Sequence, residues 1–188
     1  MSDAALAETR AWVERAVIGL QLCPFARAPQ GKGRVRYAIS AAVDAEALMA
    51  DLVAELNRLV EAPAERTETT LLVHPRALAD FDDYNDFLGL ADEALAALDL
   101  DGVVQIASFH PDYRFADSAP DDIANATNRS PFPMLQLLRE ESIERALAAF
   151  DAPESIYEAN ILTLRRLGHA GWAALRQACR DDAAERPA

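Results

Sequence analysis

Three short β-rich runs alternate with segments of helical periodicity, and this alternation constrains the fold more than any other feature. The runs are residues 35–39, 69–73 and 103–109. Apolar residues recur at helical spacing before the first run and between successive runs. Helices that cross over between strands let those strands run parallel. The sequence therefore predicts an α/β fold with a small, at least partly parallel sheet and crossover helices.

The part of the chain after the long polar loop is predicted to be helical. Ser130 followed by Pro131 is typical of an N-cap and a first helical position, so a helix is expected from there to Ala148. A second helix is expected to begin at Pro153. A third is expected after Gly168, because glycine commonly ends a helix.

A length of 188 residues fits one domain with a sizeable core. We predict a single globular α/β domain over residues 1–180 and a frayed tail over residues 181–188. A polar stretch, residues 112–129, is longer than a routine connection. Loops of this length often carry function, so this stretch is a candidate for the site.

The net charge of −13, from 31 acidic and 18 basic residues, bears on the partners. Such a body repels phosphate backbones and anionic lipid heads, which argues against nucleic acid and membrane as partners. No apolar run approaches the ~20 residues of a membrane span, and no secretion signal is recognisable. Two cysteines are too few for a disulfide framework, which favours the reducing cytoplasm.

Two of the three histidines directly follow predicted strands, in His74-Pro75 and His110-Pro111. If both strands belong to one parallel sheet, both imidazoles emerge at its carboxyl edge, where ligands of open α/β folds bind. A histidine there can act as a general acid or base, bind a metal ion, or simply cap the strand end by hydrogen bonding.

His110 is the stronger candidate for chemistry because Asp112 and Tyr113 follow it closely. We predict His110 as the general acid or base, Asp112 as the carboxylate that orients it, and Tyr113 as a hydrogen-bonding group. The alternative is a metal site at His74, His110 and Asp112, although two histidines and one aspartate are the minimum for such a site.

Anion recognition is predicted around Arg129 and Asn128, next to the predicted helix start at Ser130. A helix N-terminus offers free N–H groups, and a guanidinium adds a fork of donors. Lys32, the only lysine in the chain, and Arg27 lie in another loop and are predicted to contribute to the same anion site. The opposing interpretation is that Ser130 only caps the helix while Arg129 pairs with a surface acid.

Cys23, followed by Pro24 and Phe25, forms a tripeptide that resembles the active site of glutaredoxins. There the cysteine opens a helix, whose end lowers the thiol pKa, whereas Cys23 follows a predicted helix. Ala26 also stands where a second cysteine would be expected. A small buried apolar residue at a helix end is the better interpretation of Cys23.

Five longer motifs resemble the bacterial family known as domain of unknown function 1415. The motifs are residues 22–26, 69–75, 83–88, 107–113 and 127–133. The resemblance covers nearly the whole chain, from the first helix to Gly168. It implies a small, stand-alone bacterial protein, and it brings no assigned activity and no catalytic residues.

We therefore predict a cytoplasmic enzyme that acts on a small anionic substrate at the carboxyl edge of the sheet, by histidine acid/base chemistry. Titratable side chains concentrate at the strand ends and in one long loop, which favours this hypothesis. The alternatives are a non-catalytic binding or assembly module and a metal-binding protein. The sequence indicates neither a cofactor nor an oligomeric state.

Overall fold

The computed structural model describes residues 2–148 and 155–185, which form a four-stranded sheet with helices packed on both faces. The strands are β1 (Val35–Ile39), β2 (Thr69–Val73), β3 (Val104–Phe109) and β4 (Met134–Arg139). Their order is β1-β2-β4-β3, with β1 parallel to β2 and with β4 antiparallel to both β2 and β3. The α/β class and the partly parallel sheet are confirmed.

The helices alternate with the strands as the periodicity predicts. They are α1 (Ser2–Trp12), α2 (Arg27–Gly31), α3 (Ala45–Glu61), α4 (Phe81–Ala97), α5 (Glu140–Ala148) and α6 (Ser155–Glu185). A π-helical segment, Val13–Ile18, continues α1, and a 3-10 helix, Ile123–Thr127, lies in the long loop. Within the described residues, no helix combines the length and the apolar character that crossing a membrane requires.

Helix α6 contains the break that the sequence predicts at Gly168. The backbone there has φ 66° and ψ 174°, a conformation that glycine adopts readily because it has no Cβ. The predicted helix start at Pro153 lies outside the described residues. Helix α6 continues to Glu185, so residues 181–185 of the predicted tail are helical.

Two apolar cores lie on opposite faces of the sheet. Helices α3 and α4 cover one face, where the stripe of Leu48, Leu52 and Leu56 is fully buried. Helix α1, its π-helical continuation and α6 cover the other face, with Trp12 and Trp172 in the core. All five residues of β2 are buried, as expected for a central strand covered on both faces.

The segment after Ser130 is a strand, and the helix predicted to start there is wrong in its first half. Met134 and Leu137 share the spacing of a helical stripe, but Leu135 between them is equally buried. Apolar residues on both faces, interrupted only by Gln136, are typical of a strand enclosed between two neighbours. Helix α5 begins only after β4 ends.

The three strands β1, β2 and β3 point the same way, so their carboxyl ends meet at one edge of the sheet, here called the carboxyl edge. Because β4 is antiparallel, its amino end lies at this edge as well. His74 and His110 follow β2 and β3, and Arg129 shortly precedes β4. The topology therefore brings these three residues to the same edge.

The buried phenol of Tyr84, on α4, ties two strands together at the carboxyl edge. Its hydroxyl donates a hydrogen bond to the carbonyl of Met134 at 2.9 Å and accepts one from the amide of Phe109 at 3.0 Å. The ring packs against His74 and His110, with centroid distances of 5.9 and 5.1 Å. Tyr84 thus links α4, β3, β4 and both strand-end histidines.

Replacing Tyr84 with phenylalanine removes this bridge and leaves the part-buried N–H of Phe109 and the buried carbonyl of Met134 without this partner. We expect Tyr84→Phe to lower the free energy of unfolding by about 1–3 kcal/mol, the usual cost of such unpaired groups. Urea denaturation measures it. Tyr157→Phe is the matched control because the Tyr157 side chain is exposed, and equal losses in both variants would contradict the bridge.

Candidate functional site

An open cleft of about 280 Å³ lies at the carboxyl edge. Its walls come from the start of α4, from the segment after β3, and from the long loop that leads to β4. The lining residues are Asp80, Phe81, Asp82, Asp112, Arg114, Pro120 and Arg129. The cleft is therefore mostly charged, and both signs of charge are present in it.

Arg129 is held in place by backbone carbonyls. Its Nε donates to the carbonyl of Tyr113 at 3.1 Å, and one terminal nitrogen donates to the carbonyl of Pro120 at 2.8 Å. Among the described residues, Arg129 makes no ion pair with a carboxylate. Burial lowers the pKa of the guanidinium, and the nearby charge of Asp112 opposes that effect. The prediction that Arg129 sits at a helix N-terminus is wrong, because β4 follows it.

His110 is buried directly behind the cleft and both of its ring nitrogens are engaged. The backbone N–H of Asp112 donates to Nδ1 at 3.0 Å, so Nδ1 carries no proton, and Nε2 then donates to the carbonyl of Leu78 at 3.2 Å. Burial lowers the pKa of His110. Asp112 therefore contacts His110 through its backbone, whereas the sequence predicts a contact through its carboxylate.

His74 is fully buried beside Tyr84. Its Nδ1 donates to the carbonyl of Ala77 at 3.0 Å, and its Nε2 has no hydrogen-bond partner within the described residues. Burial lowers the pKa of His74 to about 4. The ring is thus a neutral group that closes the turn after β2, as the strand-capping interpretation proposes.

The remaining polar residues around Arg129 hold the long loop. The side-chain amide of Asn128 donates to the carbonyl of Ser108 at 3.0 Å. Asn125 is buried, donates to the carbonyl of Ala119 and accepts from the amide of Phe115. Neither Asn128 nor Tyr113 is among the residues that line the cleft. Their hydrogen bonds fix the backbone from which Arg129 projects.

Lys32 and Arg27 do not line the cleft. Arg27 begins α2 and Lys32 directly follows it, and this segment leads into the amino end of β1. Because β1 is parallel to β2, its amino end lies at the edge of the sheet opposite His74. Cys23 is half-buried, and burial raises its thiol pKa, whereas a reactive thiolate needs a lowered one.

The described residues contain no group of three His, Cys, Asp or Glu side chains that could hold a metal ion. The alternative of a metal site at His74, His110 and Asp112 finds no support in the arrangement of these described residues. Hydrogen bonds already occupy both ring nitrogens of His110, and the Nδ1 of His74 is bonded to a carbonyl.

The sequence predicts no site role for five of the seven lining residues, which are Asp80, Phe81, Asp82, Arg114 and Pro120. Asp80 is recognisable as part of a helix start, and it does cap α4 by accepting from the amides of Asp82 and Asp83. The sequence gives no sign that the same helix start also forms a cleft wall. Phe81 packs against His110 and Tyr113, with centroid distances of 5.4 and 5.3 Å, and so joins this wall to the segment after β3.

Comparison with known families identifies the chain. Residues 4–174 match the model of the family described as protein of unknown function (DUF1415). The chain belongs to this family. Neither the curated proteins nor the solved structures gave a significant match. The family assignment agrees with the motif resemblance, and the site has to be interpreted from its own geometry.

The buried, neutral His74 makes stability depend on pH. Its folded pKa of about 4 lies below the unfolded value of 6.5, so the unfolded chain takes up the proton first as the pH falls. We expect stability to be complete above about pH 6.5 and to decrease by about 3 kcal/mol between there and pH 4, since one pKa unit corresponds to about 1.4 kcal/mol.

Urea denaturation across this pH range measures the effect. His74→Asn keeps a donor for the Ala77 carbonyl but does not titrate, so its stability should fall less steeply with acid. His169→Asn removes an exposed imidazole and is the matched control. Parallel curves for wild type and His74→Asn would contradict the assignment of a buried neutral imidazole.

Proposed function

We propose that the protein is a cytoplasmic enzyme that binds a small molecule with an anionic group in the cleft at the carboxyl edge. The observation that carries the proposal is Arg129. It is a half-buried cation without an acidic partner among the described residues, in a chain that has 31 acidic residues. A carboxylate or phosphate in the cleft would supply the missing partner.

The energetics of Arg129 favour such a ligand. Removing a guanidinium from water is costly unless a charge or hydrogen bonds compensate it. Two carbonyls compensate part of the cost by fixing Nε and one terminal nitrogen. The same contacts immobilise the side chain, so an anion would bind a pre-organised group and would lose less affinity to ordering.

Within this proposal, Asp112 is the general acid or base. Asp112 lines the cleft together with Arg129, whereas His110 is not among the lining residues. His110 accepts the backbone N–H of Asp112 and is fixed by Leu78, so it acts as a positioning residue for the turn that presents the carboxylate. Tyr113 contributes its carbonyl to Arg129.

An assembly module is the second candidate. Three exposed large apolar side chains on the last two helices favour it: Leu147, Tyr157 and Leu162, at 38%, 56% and 54% exposure. Scattered exposed apolar residues are common on monomeric proteins, so this observation carries less weight than the unpaired arginine.

Calorimetric titration with acetate, butyrate and inorganic phosphate at low salt tests anion binding. We expect saturable binding that weakens as salt is added, and an affinity at least about tenfold lower in Arg129→Gln, the loss expected when a charged hydrogen bond is removed. Arg129→Lys should retain part of the affinity because it keeps the charge. Arg145→Gln, on the exposed side of α5, should bind like wild type.

Two results would contradict anion binding at this cleft. One is undiminished binding by Arg129→Gln, which would place the anion elsewhere. The other is the absence of saturable binding by all three anions and by larger molecules that carry the same groups. Denaturation curves of each variant exclude unfolding as the cause of a loss.

Turnover distinguishes an enzyme from a binding module. Wild type and Asp112→Asn are each incubated with a mixture of small metabolites, and mass spectrometry follows every compound. An enzyme should consume at least one compound, and Asp112→Asn should slow this consumption by about 10²-fold or more, a typical contribution of acid/base catalysis. Retention of a compound on the protein without any chemical change would favour a binding module.

A further inference from the structure

The charges that line the cleft do not suit a ligand that is purely anionic. Three carboxylates, from Asp80, Asp82 and Asp112, face two guanidinium groups, from Arg114 and Arg129, which gives a formal sum of −1. The whole chain, these five residues included, carries a net charge of −13. A simple anion would therefore enter a negative cleft on a negative protein, and its contact with Arg129 would have to overcome that repulsion.

Internal pairing uses only some of these charges. One terminal nitrogen of Arg114 contacts a carboxylate oxygen of Asp82 at 3.4 Å. Asp80 uses one carboxylate oxygen to cap α4. Asp112 and Arg129, by contrast, form no ion pair with each other and none with another described residue.

Burial lowers the pKa of Arg129, and the charge of Asp112 on the same cleft partly offsets this effect, so the two groups interact electrostatically without an ion pair. The backbone of each is fixed from behind. His110 accepts the amide of Asp112, and the indole N–H of Trp12 donates to the carbonyl of Arg129 at 3.1 Å. The exposed carboxylate of Asp112 and the fixed guanidinium of Arg129 share a cleft without forming an ion pair, which leaves room for a group between them.

We infer that the ligand of this cleft is dipolar, with an anionic group on Arg129 and a cationic group, such as an ammonium, on Asp112. This inference rests on the proposed function and names its substrate class. A volume of about 280 Å³ lies below the range for drug-sized ligands, which suits a molecule of the size of an amino acid. Such a ligand leaves the charge of the cleft unchanged and satisfies both unpaired groups.

Matched sets of probes test the inference by calorimetry with the full-length protein at pH 7. Each ω-amino acid is compared with the carboxylate that lacks its amine: glycine with acetate, β-alanine with propionate, 4-aminobutyrate with butyrate, and 6-aminohexanoate with hexanoate. We expect at least one amino acid to bind about tenfold or more tightly than its carboxylate, corresponding to one added charge-assisted contact.

Two variants test the contacts of the cationic end and the anionic end of the ligand separately. Asp112→Asn should abolish the preference for the amino acid, while the affinity for the simple carboxylate stays the same or rises because a repelling charge is lost. Arg129→Gln should weaken both members of the pair. Asp117→Asn, an exposed residue of the same loop that does not line the cleft, should leave both affinities unchanged.

Different results would overturn the dipolar inference alone or the proposed function as well. If every carboxylate binds as tightly as its amino acid and Arg129→Gln loses both, the dipolar inference is overturned and anion binding stands. If Asp112→Asn keeps the full preference for the amino acid, the assignment of the cationic end is overturned. If no probe binds, or if binding is indifferent to Arg129→Gln, the inference and the proposed function are both overturned.

Discussion

The phenol of Tyr84 is the interaction on which the carboxyl edge depends. A tyrosine that is fully buried needs a partner for its hydroxyl, and this one uses both its donor and its acceptor capacity, on Met134 of β4 and Phe109 of β3. These two residues are directly paired in the sheet, so the bridge sits where β3 and β4 both meet the carboxyl edge. The segments that leave these strands, with His110 on one and Arg129 before the other, start from backbone positions that Tyr84 fixes.

The cleft combines this rigid edge with a loop that is held by its own polar groups. Side chains of the loop form hydrogen bonds with loop and strand backbone, and these bonds give a long, largely irregular segment a defined course. The residues are Asn125, Asn128 and Arg129. What distinguishes Arg129 from the other two is its charge. Backbone carbonyls accept hydrogen bonds from Nε and one terminal nitrogen of Arg129 but do not neutralise its charge, and this imbalance in an acidic protein is the physical basis of the proposed function.

The sequence predicts most of the fold because β1, β2 and β3 differ sharply in periodicity from the helices between them. It misassigns β4 because a strand buried on both faces loses its alternation, and Ser130-Pro131 also imitates a helix start. The two strand-end histidines are recognisable from sequence, but their hydrogen bonds to Ala77, Leu78 and Asp112 are not, since these depend on turn geometry. Composition does not show that Arg129 lies at the cleft and that Lys32 does not. Only the direction of β1 shows that Lys32 leads into the opposite edge.

The most direct test of the account is to locate the ligand on the protein. Nitrogen-15 spectra of the arginine Nε–H groups can be recorded while 4-aminobutyrate is added, with Arg129→Lys used to assign the Arg129 signal. We expect a saturable shift of the Arg129 signal at the same concentrations that move the backbone amide signal of Asp112, while the signals of arginines that do not line the cleft, such as Arg15 and Arg145, do not shift. A saturable shift of other arginines with Arg129 unmoved would contradict it.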